Sequence, residues 1–341
     1  MPAYRMPAEW EPHDSVWVSW PHREESWPDR FGPVPAAFAR MLAVLAEHET
    51  VHINVGAEFS LQSQAEHFLQ TADARRERIH FHAIPTDDAW CRDHGPIIVY
   101  EGDSLRRTAL NWQYNAWGSK YAPYDEDDLV AGRVANVLGM PVVSPGMVLE
   151  GGSIDVNGAG TLLTTQQCLL NQNRNPNMTQ TEISDRLKTY LGAINIIWLG
   201  QGIDGDDTDG HVDDVARFVS ADTIVIAACE DPADSDYEPL RDNLRRLQLA
   251  KDQNDQPLNV VPLPTPGVIV IDGERVPAGY VNFYMGNGLV LVPTFNRPSD
   301  AVALDTLARL CPDRVVKGID CLDLIWGLGA VHCLTQQIPA A

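Results

Sequence analysis

Ser15-Val16-Trp17-Val18-Ser19-Trp20 reads as a buried β-strand that no polar signature precedes. Gly327-Leu328-Gly329-Ala330-Val331-His332-Cys333-Leu334-Thr335-Gln336-Gln337 reads as a polar signature with too little chain after it to supply a following strand. Between these ends one pattern recurs. An amphipathic helix is predicted where Phe38, Met41, Leu42 and Leu45 share a face at i, i+3, i+4 and i+7, and similar patterns lie near residues 126–139, 180–191, 238–250 and 299–310. Apolar strands are predicted at Ile79–Ile84, Pro141–Val143, Ile194–Leu199, Asn259–Leu263 and Arg314–Ile319, each followed by a polar signature centred on Asp93, Glu150, His211, Asn282 or Cys333. The signatures lie 57, 61, 71 and 51 residues apart, and the first four lead into Pro96–Val99, Thr161–Thr164, Thr223–Ala227 and Gly288–Val292. Pairing the orphan first strand with the orphan last signature completes five α/β units in a ring. Chance regularity in an ordinary α/β chain is the alternative, and the circular closure favours the ring. In a ring, equivalent positions converge, so residues 240 apart in sequence share one pocket.

Composition narrows the function. With 341 residues, length alone suggests two domains, which the five-fold pattern revises to a single domain over 1–341. The formal charge is −22 with Lys and Arg scattered, which argues against nucleic acid as a partner, because phosphates require a basic face. There is no apolar signal core at the N-terminus and no run near the roughly 20 apolar residues that span a membrane. Six cysteines at 91, 168, 229, 311, 321 and 333 show no disulfide or Cys-x-x-Cys spacing, which points to a reducing cytoplasm. Cys168 and Cys229, inside apolar runs, read as buried small hydrophobes.

Cys333 is the candidate nucleophile, its turn opened by Gly327 and Gly329; the competing reading is an inert buried thiol. His332 beside it is expected to face away, as neighbours on a strand do. His211 and Asp213, two apart, would share a strand face and suit a general acid/base with a charge partner. A metal is the rival reading of the acidic stretch Asp204–Gly210, yet an EF-hand aligned on Gly210 would need ligands at Gly205 and Ala216, which supply none. Asp93 beside Arg92, and Glu150 before Gly151-Gly152, are each ordinary taken singly. Together, several carboxylates in one pocket repel one another unless a cation joins them, and a planar guanidinium offers five N–H donors to such a set.

Six stretches resemble the agmatine deiminase family, a group also known as bacterial peptidylarginine-deiminase-like. They are Asp87-Asp88-Ala89-Trp90-x-Arg92-Asp93-x-Gly95-Pro96, Asn115-Ala116-Trp117-Gly118, Leu149-Glu150-Gly151-Gly152-Ser153-Ile154, Asn171-Gln172-x-Arg174-Asn175-Pro176, Gly210-His211-Val212-Asp213 and His332-Cys333-Leu334-Thr335-Gln336-Gln337. The resemblance is collinear over essentially the whole chain. It implies the pentein fold, a five-bladed α/β propeller, and hydrolysis of a small cationic guanidino substrate, agmatine foremost, with no metal and no organic cofactor. It also implies Cys333 as nucleophile, His211 as acid/base, Asp93 and Asp213 as guanidinium-binding carboxylates, Glu150 as a substrate contact that supports the histidine, and Trp90 beside the substrate stem. Trp117 and Asn282 are added as substrate contacts. Free arginine, another guanidino compound, amidino transfer to an amine, and non-catalytic guanidine binding stay open as alternatives, and a homo-oligomer is compatible with all of this. The chain departs from the family pattern at Gly327-Leu328-Gly329-Ala330 and at Asp209 and Asp214; if either acid lies near the pocket mouth, a substrate with a distal cation is favoured.

Overall fold

The computed structural model describes residues 3–102 and 104–341. Helix Val34–His48 forms where the periodicity places it, and Phe38, Met41, Leu42 and Leu45 are all fully buried. Helix Gln180–Leu191 starts at a capping box, Thr179 with Glu182, and stops at Gly192, whose φ is 73°. Its buried face is Ile183, Leu187 and Leu191.

These helices serve one motif that occurs five times: an edge strand pairs antiparallel with a middle strand, a helix crosses over, and a third strand joins the middle one in parallel. The edge, middle and parallel strands are Ile97–Glu101, Arg107–Leu110 and Val142–Val143 in the first case, where Tyr4–Arg5 adds a further antiparallel strand outside Ile97–Glu101, and Ile154–Val156, Thr161–Thr165 and Asn195–Leu199 in the second. Ala216–Phe218, Thr223–Ala228 and Asn259–Pro264 make the third, and Tyr284–Gly286, Leu289–Thr294 and Val315–Asp320 the fourth. The fifth joins the chain ends: Gln336–Pro339 is antiparallel to His13–Ser19, which is parallel to Thr50–Asn54. The crossover helices are Val130–Val137, Gln180–Leu191, Tyr237–Leu249, Ser299–Leu310 and, in the fifth motif, Val34–His48. Parallel pairing demands such a crossover. Middle strands such as Thr161–Thr165 are buried along their whole length, which is why they read as continuous apolar runs.

Three differences from the sequence reading have physical causes. The edge strands Ile154–Val156, Ala216–Phe218 and Tyr284–Gly286 are three residues long, too short for periodicity to reveal, so the signatures were read as leading straight into the middle strands. The predicted strand Ile79–Ile84 exists as Ile79–His82, but as a fourth strand added beside Thr50–Asn54, with helix Phe59–Thr71 between them. The predicted 126–139 helix is a 3-10 turn, Asp127–Leu129, leading into Val130–Val137. Cys168 is buried as expected, whereas Cys229 is only half-buried. Among the described residues no helix is long and apolar enough to cross a membrane.

All five signatures sit just ahead of an edge strand, which is what places them for a shared site. The end of helix Gln180–Leu191 is tightly specified. A β-carbon on Gly192 would lie 2.2 Å from the Tyr4 carbonyl oxygen at a positive φ. Gly192→Ala should therefore destabilise the fold by about 1–3 kcal/mol in chemical denaturation, with activity of the folded fraction unchanged.

Candidate active site

Cys333 lies in a turn between the 3-10 helix Ile325–Gly327 and the closing strand Gln336–Pro339. The flanking glycines serve packing rather than openness. A β-carbon on Gly329 would sit 2.4 Å from the Trp90 ring, and one on Gly327 would sit 2.5 Å from the Trp27 ring. The thiol is buried, not exposed as the glycines suggested, with 6% of the residue accessible. Asn282 fixes the turn: its Oδ1 accepts from the His332 backbone N–H at 3.0 Å, and its Nδ2 donates to Cys333 Sγ at 3.0 Å and to Asp214 Oδ1 at 2.9 Å. Burial first, then Asp213, Asp214 and Asp93, push the thiol pKa well above its ordinary value.

Asp93 occupies a one-turn helix, Cys91–His94. Its Oδ2 accepts from Trp117 Nε1 at 3.0 Å and its Oδ1 from the Gly152 backbone N–H at 2.9 Å. Gly151-Gly152 is where signatures meet, since a β-carbon on Gly152 would lie 2.6 Å from His211 Nδ1, 2.9 Å from Asp93 Oδ1 and 3.1 Å from Asp213 Oδ1. His211 and Asp213 flank the start of a 3-10 turn, Val212–Asp214, rather than sharing a strand face. Burial pushes the His211 pKa down, but Asp93, Cys168 and Glu150 outweigh it and hold the imidazole well above its ordinary value. Glu150 receives Arg174 Nε on Oε1 at 2.7 Å, while its Oε2, His211 Nε2 and Asp213 Oδ1 are buried without a protein partner. Buried polar atoms without partners are scarce in folded proteins, and one of these three, Asp213 Oδ1, is among the atoms that meet at Gly152.

A cavity of about 410 Å³ reaches Cys333, Asp93, Trp90 and Trp117 at its buried end and opens past Tyr121, Asp207, Arg275, Glu274 and Glu25. Trp27 stacks on Trp90 with ring centroids 5.3 Å apart. Trp117 is held at φ 53°, between Ala116 at 49° and Gly118 at 92°. The Asn115 side chain, bonded to Gly118 N and Asn173 O, and the Trp117–Asp93 bond keep this strained turn in place. Glu150, His211 and Asp213 are buried next to the cavity without being among its lining residues, and Asn282 lies against Cys333.

The departures at Asp209 and Asp214 do not reach the pocket mouth. Asp209 pairs with Arg174 and Lys120, and Asp214 is buried against Asn282. Besides Asp93, the acids on the cavity wall are Asp207, Asp88, Glu25 and Glu274. In the Asp204–Gly210 stretch, Asp206 binds Thr208 and Gly210 of its own loop, Asp204 faces Ser235, and Asp207 accepts from Tyr121. The imidazole, thiol and carboxylate of His211, Cys168 and Glu150 gather within 4.8 Å, with Arg174 already supplying positive charge to that group.

The sequence reading missed His332, Glu9, Arg174 and Arg217. Arg174 lay inside a quoted motif, and His332 was set aside by strand alternation where the chain in fact turns. Glu9 carries no local signal.

The profile of the Porphyromonas-type peptidyl-arginine deiminases matches residues 5–339. A Latilactobacillus sakei protein under the provisional name agmatine deiminase is 37% identical, covering 99% of this chain and 96% of its own. The agmatine deiminase of Enterococcus faecalis, solved catalysing its reaction, has a TM-score of 0.93 at 32% identity, covering 99% of this chain and 96% of its own. A cysteine-to-serine variant of C. jejuni agmatine deiminase with substrate bound has a TM-score of 0.89 at 29% identity, again covering 99% of this chain and 96% of its own.

A raised thiol pKa has a direct consequence. Thiolate appears only as pH climbs, so alkylation of Cys333 by iodoacetamide in the substrate-free protein should be slow at pH 7 and still rising at pH 9. Mass spectrometry of the Cys333 peptide measures it, and a plateau reached by pH 7 would contradict the electrostatics described.

Proposed function

The chain belongs to the Porphyromonas-type peptidyl-arginine deiminase family, and we propose that it hydrolyses the guanidino group of agmatine to the ureido group of N-carbamoylputrescine, releasing ammonia. The observation that carries this reading is the meeting of His211, Asp93 and Asp213 around Gly152, with Asp213 Oδ1 left unpartnered, beside a buried thiol whose surroundings are anionic.

Asp93 and Asp213 accept the guanidinium N–H groups, with Trp90 and Trp117 beside the substrate stem. The bound cation offsets the carboxylates that hold the thiol protonated, so substrate binding promotes loss of the thiol proton to solvent and leaves the thiolate beside protonated His211. Sγ attacks the central guanidinium carbon, and the C–N bond to one terminal nitrogen breaks as protonated His211 delivers a proton to the leaving ammonia. Cys333 is left as an S-alkylthiouronium. Water then adds to that carbon as His211 takes one of its protons, and the C–S bond breaks as the remaining hydroxyl proton is lost to the released ammonia, so the neutral ureido product leaves with thiolate restored. Glu150 supports His211 from behind and is itself held by Arg174.

The far end of the cavity favours a distal ammonium over an α-carboxylate. Its wall carries Asp88 and Asp207, and its cation, Arg275, is already paired with Asp234 and Asp236. Arginine would bring a carboxylate against these acids.

The five repeats of one strand–helix motif, the last closed by both chain ends, support a five-bladed α/β propeller of the pentein type spanning 1–341 as one catalytic domain. A nucleophile that must stay a free thiol suits the reducing cytoplasm, and the product suits a step towards putrescine.

In competition assays agmatine should exceed free arginine in kcat/KM by at least about tenfold, roughly 1.4 kcal/mol. Asp207→Asn should narrow that gap by raising KM for agmatine alone, and Cys333→Ser should abolish turnover with the fold intact. Equal use of the two substrates would sink the agmatine assignment, and residual turnover in the serine variant would sink the covalent route.

A further inference from the structure

His332 sits between two carboxylates. Its Nδ1 is 2.6 Å from Asp213 Oδ2 and its Nε2 is 2.8 Å from Glu9 Oε2, with all three side chains buried. Ionised carboxylates only accept hydrogen bonds, so both contacts together require a proton on each ring nitrogen. Glu9 is well provided with donors that keep it ionised. Arg217 Nη2 reaches its Oε1 at 2.8 Å, Arg92 Nη2 reaches its Oε2 at 3.1 Å, and the Met285 backbone N–H reaches Oε1 at 2.7 Å. Arg217 is shared with Asp155 through Nε at 2.7 Å. The connected group therefore holds three carboxylates, Glu9, Asp155 and Asp213, against two guanidiniums, Arg92 and Arg217. An imidazolium at His332 brings it to neutrality, which is the condition for burying so many charges.

The geometry at Asp213 shows what the arrangement accomplishes. Oδ2 is occupied by His332, with Asn282 Nδ2 at 3.4 Å and Cys333 Sγ at 3.8 Å. Oδ1 is buried without a protein partner, and it faces the point where His211 and Asp93 also converge.

We propose that His332 is a positioning residue for guanidine hydrolysis, a doubly protonated strut anchored on Glu9 that ties down one oxygen of Asp213 and aims the other at the substrate guanidinium. The proposal rests on the deiminase reading for its substrate but on the Glu9–His332–Asp213 geometry for its substance. Asp213 would otherwise be free to rotate towards the Cys333 sulfur, where its charge opposes thiolate formation. His332 acts through Asp213 and does not itself touch substrate. Glu9 acts one step further back, although it lies 324 residues from Cys333 in the chain.

Two measurements test this. In protein labelled with 15N-histidine, substrate-free at pH 7.5, the His332 signals are assigned by their loss in His332→Asn. Both of its ring nitrogens should carry protons, and a ring with a single N–H would overturn the proposal. Steady-state kinetics with agmatine then compare Glu9→Gln, His332→Asn and His332→Ala. Glu9→Gln and His332→Ala should lose about tenfold or more in kcat/KM, mainly through KM, because guanidinium orientation is what they disturb. His332→Asn keeps a donor near the Nδ1 position and should fall between His332→Ala and the parent. Folded variants with unchanged KM, whether their melting temperature or kcat drops, would reduce the triad to a structural or a chemical role and reject it. If the buried variants fail to fold, the labelling experiment on the parent protein still decides. A parent protein inactive on agmatine would refute the functional reading while leaving the protonation test of His332 intact.

Discussion

The structure turns on a crowd of buried carboxylates around one thiol. Asp93, Glu150, Asp213 and Asp214 all lie within the shell of Cys333 and His211, where low polarity magnifies their mutual repulsion. Each is handled differently. Glu150 is matched by Arg174 and Asp213 by His332, while Asp93 relies on Trp117, a backbone N–H and the nearby His211. Asp214 has no ion pair among the described residues, and burial first, then Asp213 and Asp206, push its carboxyl well above the usual range. The counter-cations stand on the outer side of the carboxylates, away from the cavity. Glu150 Oε2 and Asp213 Oδ1 are left without a protein partner, so a compact cation that reaches them relieves a field the protein maintains.

On the proposed mechanism, that arrangement lets a buried thiol with a raised pKa serve as a nucleophile. A permanently ionised Cys333 would need a cation beside it, and such a cation would occupy the substrate's place. Holding the thiol protonated until a guanidinium arrives couples ionisation to binding. The same field at the far end of the cavity, from Asp88 and Asp207, extends the preference to the substrate's other terminus. Arg275 lines the wall there but is tied to Asp234 and Asp236, so its charge does not soften that preference.

Much of this was legible in the chain. The face of Phe38, Met41, Leu42 and Leu45, four of the five middle strands and the five signatures follow from periodicity and spacing, because each expresses a local rule repeated in place, whereas the middle strand Arg107–Leu110 was not foreseen. What stayed hidden depends on contacts without sequence proximity. The strand Thr50–Asn54 was missed because His52 and Asn54 interrupt its apolar pattern; the Asn54 side chain instead accepts a 2.7 Å bond from Trp17 across the sheet. His332 was misjudged because alternation holds on strands and the chain there is a turn. Asn282 emerged from its place in the repeat, yet its task is to pin the nucleophile's backbone, which no spacing argument distinguishes from touching substrate.

The joining of the chain ends gives the catalytic turn its rigidity. Cys333 stands three residues ahead of the strand Gln336–Pro339, which exists only because His13–Ser19 pairs with it. On the other side, Glu9 precedes His13–Ser19 by four residues and reaches His332, Arg92 and Arg217 at once. The nucleophile, the strut behind it and the closure of the fold are thus one local structure assembled from opposite ends of the polypeptide. Loosening of either terminus would move Cys333 relative to Asp93 and Asp213, which are fixed by other motifs. Displacements of about an ångström are enough to cost orders of magnitude in rate when reacting groups must be aligned. The buried ion network therefore binds the two ends together where precision of the reacting atoms is set, and it does so at a desolvation cost that an apolar contact would have avoided.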